Sequence, residues 1–197
     1  MVLVSTGLSL VLGFILATFM ILTNPQGLNP RPRVYNVLDV VVNLLRSFPF
    51  IILLIAIIPF TRLVVGTTIG SAAAIVPLTV AAAPFAARIL EGSFLEVDRG
   101  VVEAARSFGA GDLQIIFRVL LPEAMPAIIL NAAVIGITLL GYSAMAGIVG
   151  GGGLGDLAIK YGYNRFQADV MIYSVIILVI MVQFMQSLGN YFYKKIR

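Results

Sequence analysis

Five runs of about 20 predominantly apolar residues fill most of this chain, at residues 2–22, 37–60, 67–90, 123–147 and 170–193. About 20 such residues are what a helix needs to cross the hydrocarbon core of a bilayer. Only 11% of the residues are charged and mean hydropathy is +1.04, whereas a soluble domain is about a quarter charged. The runs are continuously apolar and lack the strict alternation of barrel strands, so helices are expected. The expected fold is an all-α integral membrane protein: five transmembrane helices in a single domain over residues 1–197. The first run has neither the basic start nor the short apolar core of a cleavable signal peptide, and reads as a retained helix.

The chain has no cysteine and no histidine. Disulfides, thiolate catalysis and Cys-ligated metals are thereby excluded. The commonest general base and transition-metal ligand is missing too. With only nine acidic residues, mostly in connections, neither a membrane enzyme nor a metal site is expected. The net charge of +4 fits basic loops better than nucleic-acid binding.

Those basic residues set the orientation. One set of connections carries Arg31, Arg33, Arg88, Arg99, Arg106, Arg118, Lys194, Lys195 and Arg197, and the other carries Arg62, Lys160 and Arg165: nine against three. Arg46 is left out as intramembrane. The positive-inside rule puts the first set in the cytoplasm. The N-terminus is then outside and the C-terminus inside.

Polar residues interrupt the second run on one helical face: Asp39, Asn43 and Arg46 at i, i+4 and i+7. They either pair with neighbouring helices or, less favoured, touch a substrate. Pro49 follows and should bend that helix. Pro77 and Pro84 in the third run fit functional flexing or static packing, with neighbouring groups re-satisfying the freed carbonyls. Gly150 to Gly155 formally matches a dinucleotide fingerprint but follows a membrane helix instead of a strand, so a tight outer turn or close helix approach is expected. Gly66/Gly70, Gly147/Gly151 and Gly151/Gly155 are small-xxx-small pairs. Ser143 and Met145, near the outer end of the fourth run, are candidates for a periplasmic gate, because Met is flexible and closes a path without burying charge; ordinary packing is the alternative.

The sizeable polar connection, residues 91–121, lies between the third and fourth runs. Ser93 with Glu96 fits a capping box and a second helix start. Asp98 can cap a helix carrying Val101, Val102, Ala104, Ala105 and Phe108, and Gly109 is a natural stop. Asp112 can cap a second helix, with Pro122 punctuating entry into the fourth span. Two short helices with a glycine hinge at the membrane surface are expected. They serve either as a rigid coupling element for a partner or as a surface helix with none.

Glu103-Ala104-Ala105, three residues, Gly109, nine residues, Val119, one residue, then Leu121-Pro122 resembles the EAA loop of bacterial ABC importer permeases. The wider set is similar to the permease subunits of methionine ABC importers: Arg46-Ser47-Phe48-Pro49-Phe50, Ile58-Pro59-Phe60-Thr61-Arg62, Val76-Pro77-Leu78-Thr79, Ala83-Pro84-Phe85, Ala87-Arg88, Gly141-Tyr142-Ser143-Ala144-Met145 and the Gly-rich turn. Polar amino-acid permeases typically have Arg-Gly-Thr-Pro where this chain has Arg46-Ser47-Phe48-Pro49, which favours methionine. Members usually carry more chain before the first helix, which leaves a truncated or misplaced start open.

The resemblance implies a type I ABC importer permease fold in the bacterial inner membrane, working as a homodimer with its path on the two-fold axis. Two cytoplasmic ATPase subunits would dock on Glu103, Ala104, Ala105 and Gly109. A periplasmic methionine-binding (lipo)protein would deliver the substrate for alternating access. The chain has no glycine–lysine pair, so ATP and Mg²⁺ would be bound by the partner and the permease itself would carry no cofactor. The alternatives are a permease for another small amino acid or derivative, and a self-contained channel, which would not need the Glu103 loop. Substrate contacts are left unassigned.

Overall fold

The computed structural model describes residues 1–196, with position 148 described in its backbone alone. Arg197, counted above among the basic residues, lies outside the described residues. The elements are α1 (Val2–Thr23), α2 (Pro32–Ser47), α3 (Phe50–Ala56), α4 (Ile58–Val65), α5 (Ser71–Leu95), α6 (Arg99–Ser107), α7 (Asp112–Ile115), α8 (Leu121–Met145), α9 (Leu154–Leu157) and α10 (Ala168–Ile196). Four stretches are long and apolar enough to span a membrane: α1, α5, the continuous stretch Asp112–Met145, and α10. Counting the bent pair α2 and α3 as one more gives five.

The second run is not the continuous helix over 37–60 that hydropathy implied. It starts earlier, at Pro32, and breaks after Ser47, where α2 and α3 meet at 99°. Phe48 is extended, with ψ 125°, the conformation imposed on a residue before proline. Pro49 cannot donate to the preceding turn, which leaves the Leu45 carbonyl without its helical donor; the bond from Ser47 Oγ to the Asn43 carbonyl at 2.8 Å does not replace it. Pro59 then opens α4.

Of the long spanning stretches, α5 is the most buried and α10 the most exposed. Ser5, Ser9, Gly13 and Ala17 form a buried stripe along α1 at four-residue spacing. This stripe lets α1 lie close on the alanine-rich side of α5: a Cβ at Gly13 would stand 2.5 Å from Ala86 Cβ. Ser5 and Ser9 donate to the Ile75 and Thr79 carbonyls at 3.5 and 3.4 Å. The carbonyls that Pro77 and Pro84 free are those of residues 73 and 80, so these serines do not replace the lost bonds. Gly136 against Met185 and Gly189 against Ala133 give α8 and α10 the same closeness. Of the expected small-xxx-small pairs, Gly66/Gly70 does not serve this purpose, whereas Gly151 and Gly155 do, since a Cβ there would meet Ala74 Cβ at 3.1 Å and Ala144 Cβ at 2.3 Å. Gly66 and Gly70 end and precede helices at positive φ, and the others lie in or beside the turn after α8.

Candidate coupling site

α5 runs on to Leu95, so the polar connection begins later than residue 91. Ser93 is buried inside that helix. It donates to the Ile89 carbonyl at 3.2 Å and accepts from Asn131 at 2.9 Å. It therefore ties α5 to α8 and starts no second helix. The reason is continuity: nothing between Ile89 and Leu95 removes a backbone donor.

α6 is capped as its sequence requires. Asp98 accepts from the Gly100 N–H at 2.6 Å. At the other end Gly109 sits at φ 81°. Its N–H bonds to the Arg106 carbonyl at 2.8 Å, and the Ala110 N–H bonds to the Ala105 carbonyl at 3.1 Å. That is a complete Schellman closure, which needs the left-handed residue that glycine supplies without strain. The next helix is not capped by Asp112. Gly111 holds the cap position, its N–H donating to Gln114 Oε1 at 3.0 Å, and Asp112 is the first helical residue.

Pro122 does not separate that helix from the fourth span. A π-helical turn over Ile116–Leu120 carries the chain from α7 straight into α8. The wider turn accommodates a proline that neither donates nor tolerates a close carbonyl one turn back. Of the two short helices expected, one stands alone and the other is the first turn of a spanning helix.

α6 has two faces. Val102 and Ala105 turn inward onto a cluster formed by Ala17, Ile21, Leu28, Leu90, Phe94, Ile115, Ile116, Leu120 and Ala124. Glu103, Ala104, Ser107 and Phe108 are exposed, Phe108 to 92%. Glu103 and Ala104 therefore face outward together, Gly109 shapes the end of the helix, and Ala105 belongs to the inner face. Phe108, expected as one more apolar position in the helix period, lies past the last helical residue, where that period stops.

Two arginines fasten α6 to the connection between α1 and α2. Arg99 donates to Gln26 at 2.6 Å. Arg106 donates to the Leu28 carbonyl and stands 3.7 Å from Asp112. Asn24, in the same connection, donates to Glu91 at 3.2 Å. Glu91 is 1% exposed and pairs with Arg88 at 2.8 Å. Arg88 also pairs with Asp39, to which Asn43 donates at 3.0 Å. A buried carboxylate at this depth must be paired, and the pairing chains α6, the α1–α2 connection, α5 and α2 together. The polar face of α2 thus splits: Asp39 and Asn43 bond to Arg88, and Arg46 does not.

The gate candidates do not converge. Ser143 Oγ donates to the Leu140 carbonyl of its own helix at 2.6 Å, and Met145, the last residue of α8, is exposed. Their neighbour Tyr142 stacks on Phe50 with ring centroids 4.8 Å apart and planes 2° apart. The Gly-rich segment is a turn with positive φ at Gly150, Gly152 and Gly153. It is tied to the start of α5 by the Gly70 N–H on the Val149 carbonyl at 3.0 Å. It also permits close approach, since a Cβ at Gly155 would meet Ala144 Cβ at 2.3 Å.

Residues 9–197 match the family model of the binding-protein-dependent transport system inner membrane component. The chain is 49% identical over 190 residues to a probable D-methionine transport system permease protein MetI of Vibrio cholerae, covering 96% of this chain and 84% of that one. It is 44% identical over 169 residues to the methionine import system permease protein MetP of Bacillus subtilis, covering 86% and 76%. A solved structure of the inward-facing MetNI methionine ABC transporter superposes with a TM-score of 0.97 at 44% identity, over 100% of this chain and 91% of that one. An amino acid ABC transporter at 22% identity and TM-score 0.74, over 99% and 90%, shares the fold. By its sequence across nearly the whole length, this chain belongs to the family of inner membrane components of binding-protein-dependent transport systems.

Proposed function

We infer that this chain is the permease subunit of an ATP-driven importer that carries methionine inward by alternating access. The observation that supports the reading most is α6. It is a capped helix with Glu103, Ala104 and Phe108 outward, pinned by Arg99 and Arg106 to the ends of the spanning helices. A helix held at both ends passes displacement on to what holds it; a flexible loop absorbs it. Methionine as substrate is supported by the relatives and by the superposed transporter.

In this reading two copies pack about a two-fold axis. Their exposed apolar faces on α2 and α10 meet lipid or the second copy. Two ATPase subunits seat on the α6 helices from the cytoplasm and bind ATP with its Mg²⁺. A periplasmic binding protein delivers methionine to the opposite side. Closure of the ATPase pair pushes α6. The push reaches α1 and α2 through Arg106 and Leu28, and α5 through Asn24 and Glu91. Ser143 and Met145 stand at the outer end of α8, where the periplasmic side closes. The permease makes and breaks no covalent bond.

Labelled L-methionine uptake at low concentration, in cells deleted for this gene and lacking a second methionine system, tests the reading. Uptake lost on deletion and restored by a plasmid copy is expected. Uptake unchanged by deletion would remove methionine as the substrate.

A further inference from the structure

Arg46 is the one member of the α2 polar face left without a hydrogen-bond partner among the described residues. Asp39 and Asn43, on the same face, bond to Arg88 and to each other. The Arg46 guanidinium carbon lies 5.9 Å from the centre of the Phe85 ring. It lines a cavity of about 230 Å³ with Phe48, Phe50, Ala81, Phe85 and Tyr142. Ala81 and Phe85 flank the middle of α5, so the cavity sits at mid-depth. The break at Phe48-Pro49 makes it: the 99° bend swings α3 aside, so that Phe50 stacks on Tyr142 while Arg46 and Phe48 stay at the rim.

An unpaired arginine at this depth is costly and marks a path or an anionic partner. Its planar fork fits a carboxylate through two parallel bonds. The other lining side chains are Leu45, Ala81 and four aromatic rings, which suits an apolar side chain and in particular a thioether, whose sulfur packs well against ring edges. A cavity offering one cation among aliphatic and aromatic side chains selects a small carboxylate with an apolar tail. An α-amino acid such as methionine is that kind of molecule.

We propose that Arg46 receives the α-carboxylate of the transported amino acid, whose side chain lies among Phe48, Phe85 and Tyr142. This rests on the importer reading above and gives it a substrate contact. In the occupied state the guanidinium gains the partner it lacks. When the helices shift, the carboxylate is handed on to water.

The test uses the permease–ATPase complex in nanodiscs with an L-methionine analogue that carries a diazirine in place of the thioether. Light-dependent labelling is expected on Phe48, Phe85 or Tyr142, or on residues beside them. L-Methionine should compete it away, and methioninol, which lacks the carboxylate, should not. Competed labelling found only elsewhere in the chain overturns the proposal, as does equal competition by methioninol. In proteoliposomes, Arg46→Met is expected to cut methionine uptake at least about tenfold, a loss of about 1.4 kcal/mol in transition-state terms, with ATP hydrolysis retained. Arg46→Lys should recover part of the uptake. Wild-type uptake by Arg46→Met overturns the proposal and leaves the importer reading standing. Absence of methionine uptake by the wild-type complex overturns both.

Discussion

The Arg88 guanidinium bonds to carboxylates on two helices, and this makes its loss costly. Removing it leaves Glu91, 1% exposed, with only the neutral side chains of Asn24 and Tyr35 beside it. Breaking a buried pair by removing one partner costs about 3–5 kcal/mol. Arg88 is itself about one-third exposed, which places the effect near the lower end. Arg88→Ala is expected to lower the thermal midpoint of the detergent-solubilised protein by several degrees, and Arg88→Ala with Glu91→Gln to recover part of it. A double variant no more stable than Arg88→Ala would show that the pair does not carry the effect. This network was half legible. The spacing of Asp39 and Asn43 put them on one face toward a neighbour, which is where they are. By sequence Arg88 and Glu91 belong to a connection, because charge normally marks the end of a span. Mutual neutralisation is what lets both stay inside α5, and a pairing between residues 49 apart in sequence leaves no local signature.

At the scale of the element, capping chemistry carried the reading well where it was strongest. Asp98 and Gly109 bound α6 within a residue of the expected ends, since an Asp cap and a left-handed glycine are local and sterically decided. Hydropathy failed at the second run, because apolar residues continue through a break made by one proline and its predecessor. The π turn before Pro122 was likewise hidden: a proline in a helical pattern reads as a stop, and only the extra residue in the preceding turn lets the helix pass. The fastening of α6 makes a prediction. Arg106→Ala removes the bond to the Leu28 carbonyl and the approach to Asp112, a charged hydrogen bond of about 1.5–3 kcal/mol. Amide exchange over residues 99–107 is expected to quicken about tenfold or more, with exchange in α5 unchanged. Equal exchange in the variant and the parent would mean that α6 is held by its apolar face alone.

For the whole molecule, the bundle depends on close approach of α1 to α5. Its signal, Ser5, Ser9, Gly13 and Ala17 at four-residue spacing, lay in plain view. A serine at such spacing is not a specific signal, because it serves equally as a polar surface residue, whereas a glycine pair is one. Gly13→Leu is expected to abolish the folded, monodisperse protein in detergent, whereas Gly7→Leu, with nothing within 4 Å of the added Cβ, leaves it intact. Loss in both would indicate a general intolerance of α1 to bulk. The central claim is that α6 transmits ATP-driven motion to the spanning helices. Its most direct measurement is the ratio of methionine transported to ATP hydrolysed by the reconstituted complex, for the parent, Glu103→Arg and Gly109→Pro. Proline cannot adopt φ 81° or donate to Arg106, so the Schellman closure is lost while the membrane helices are untouched. The account predicts that both variants reach the membrane at parental levels with methionine uptake reduced at least about tenfold, and that Gly109→Pro still hydrolyses ATP, so its ratio collapses. Parental uptake and an unchanged ratio in both variants would contradict it.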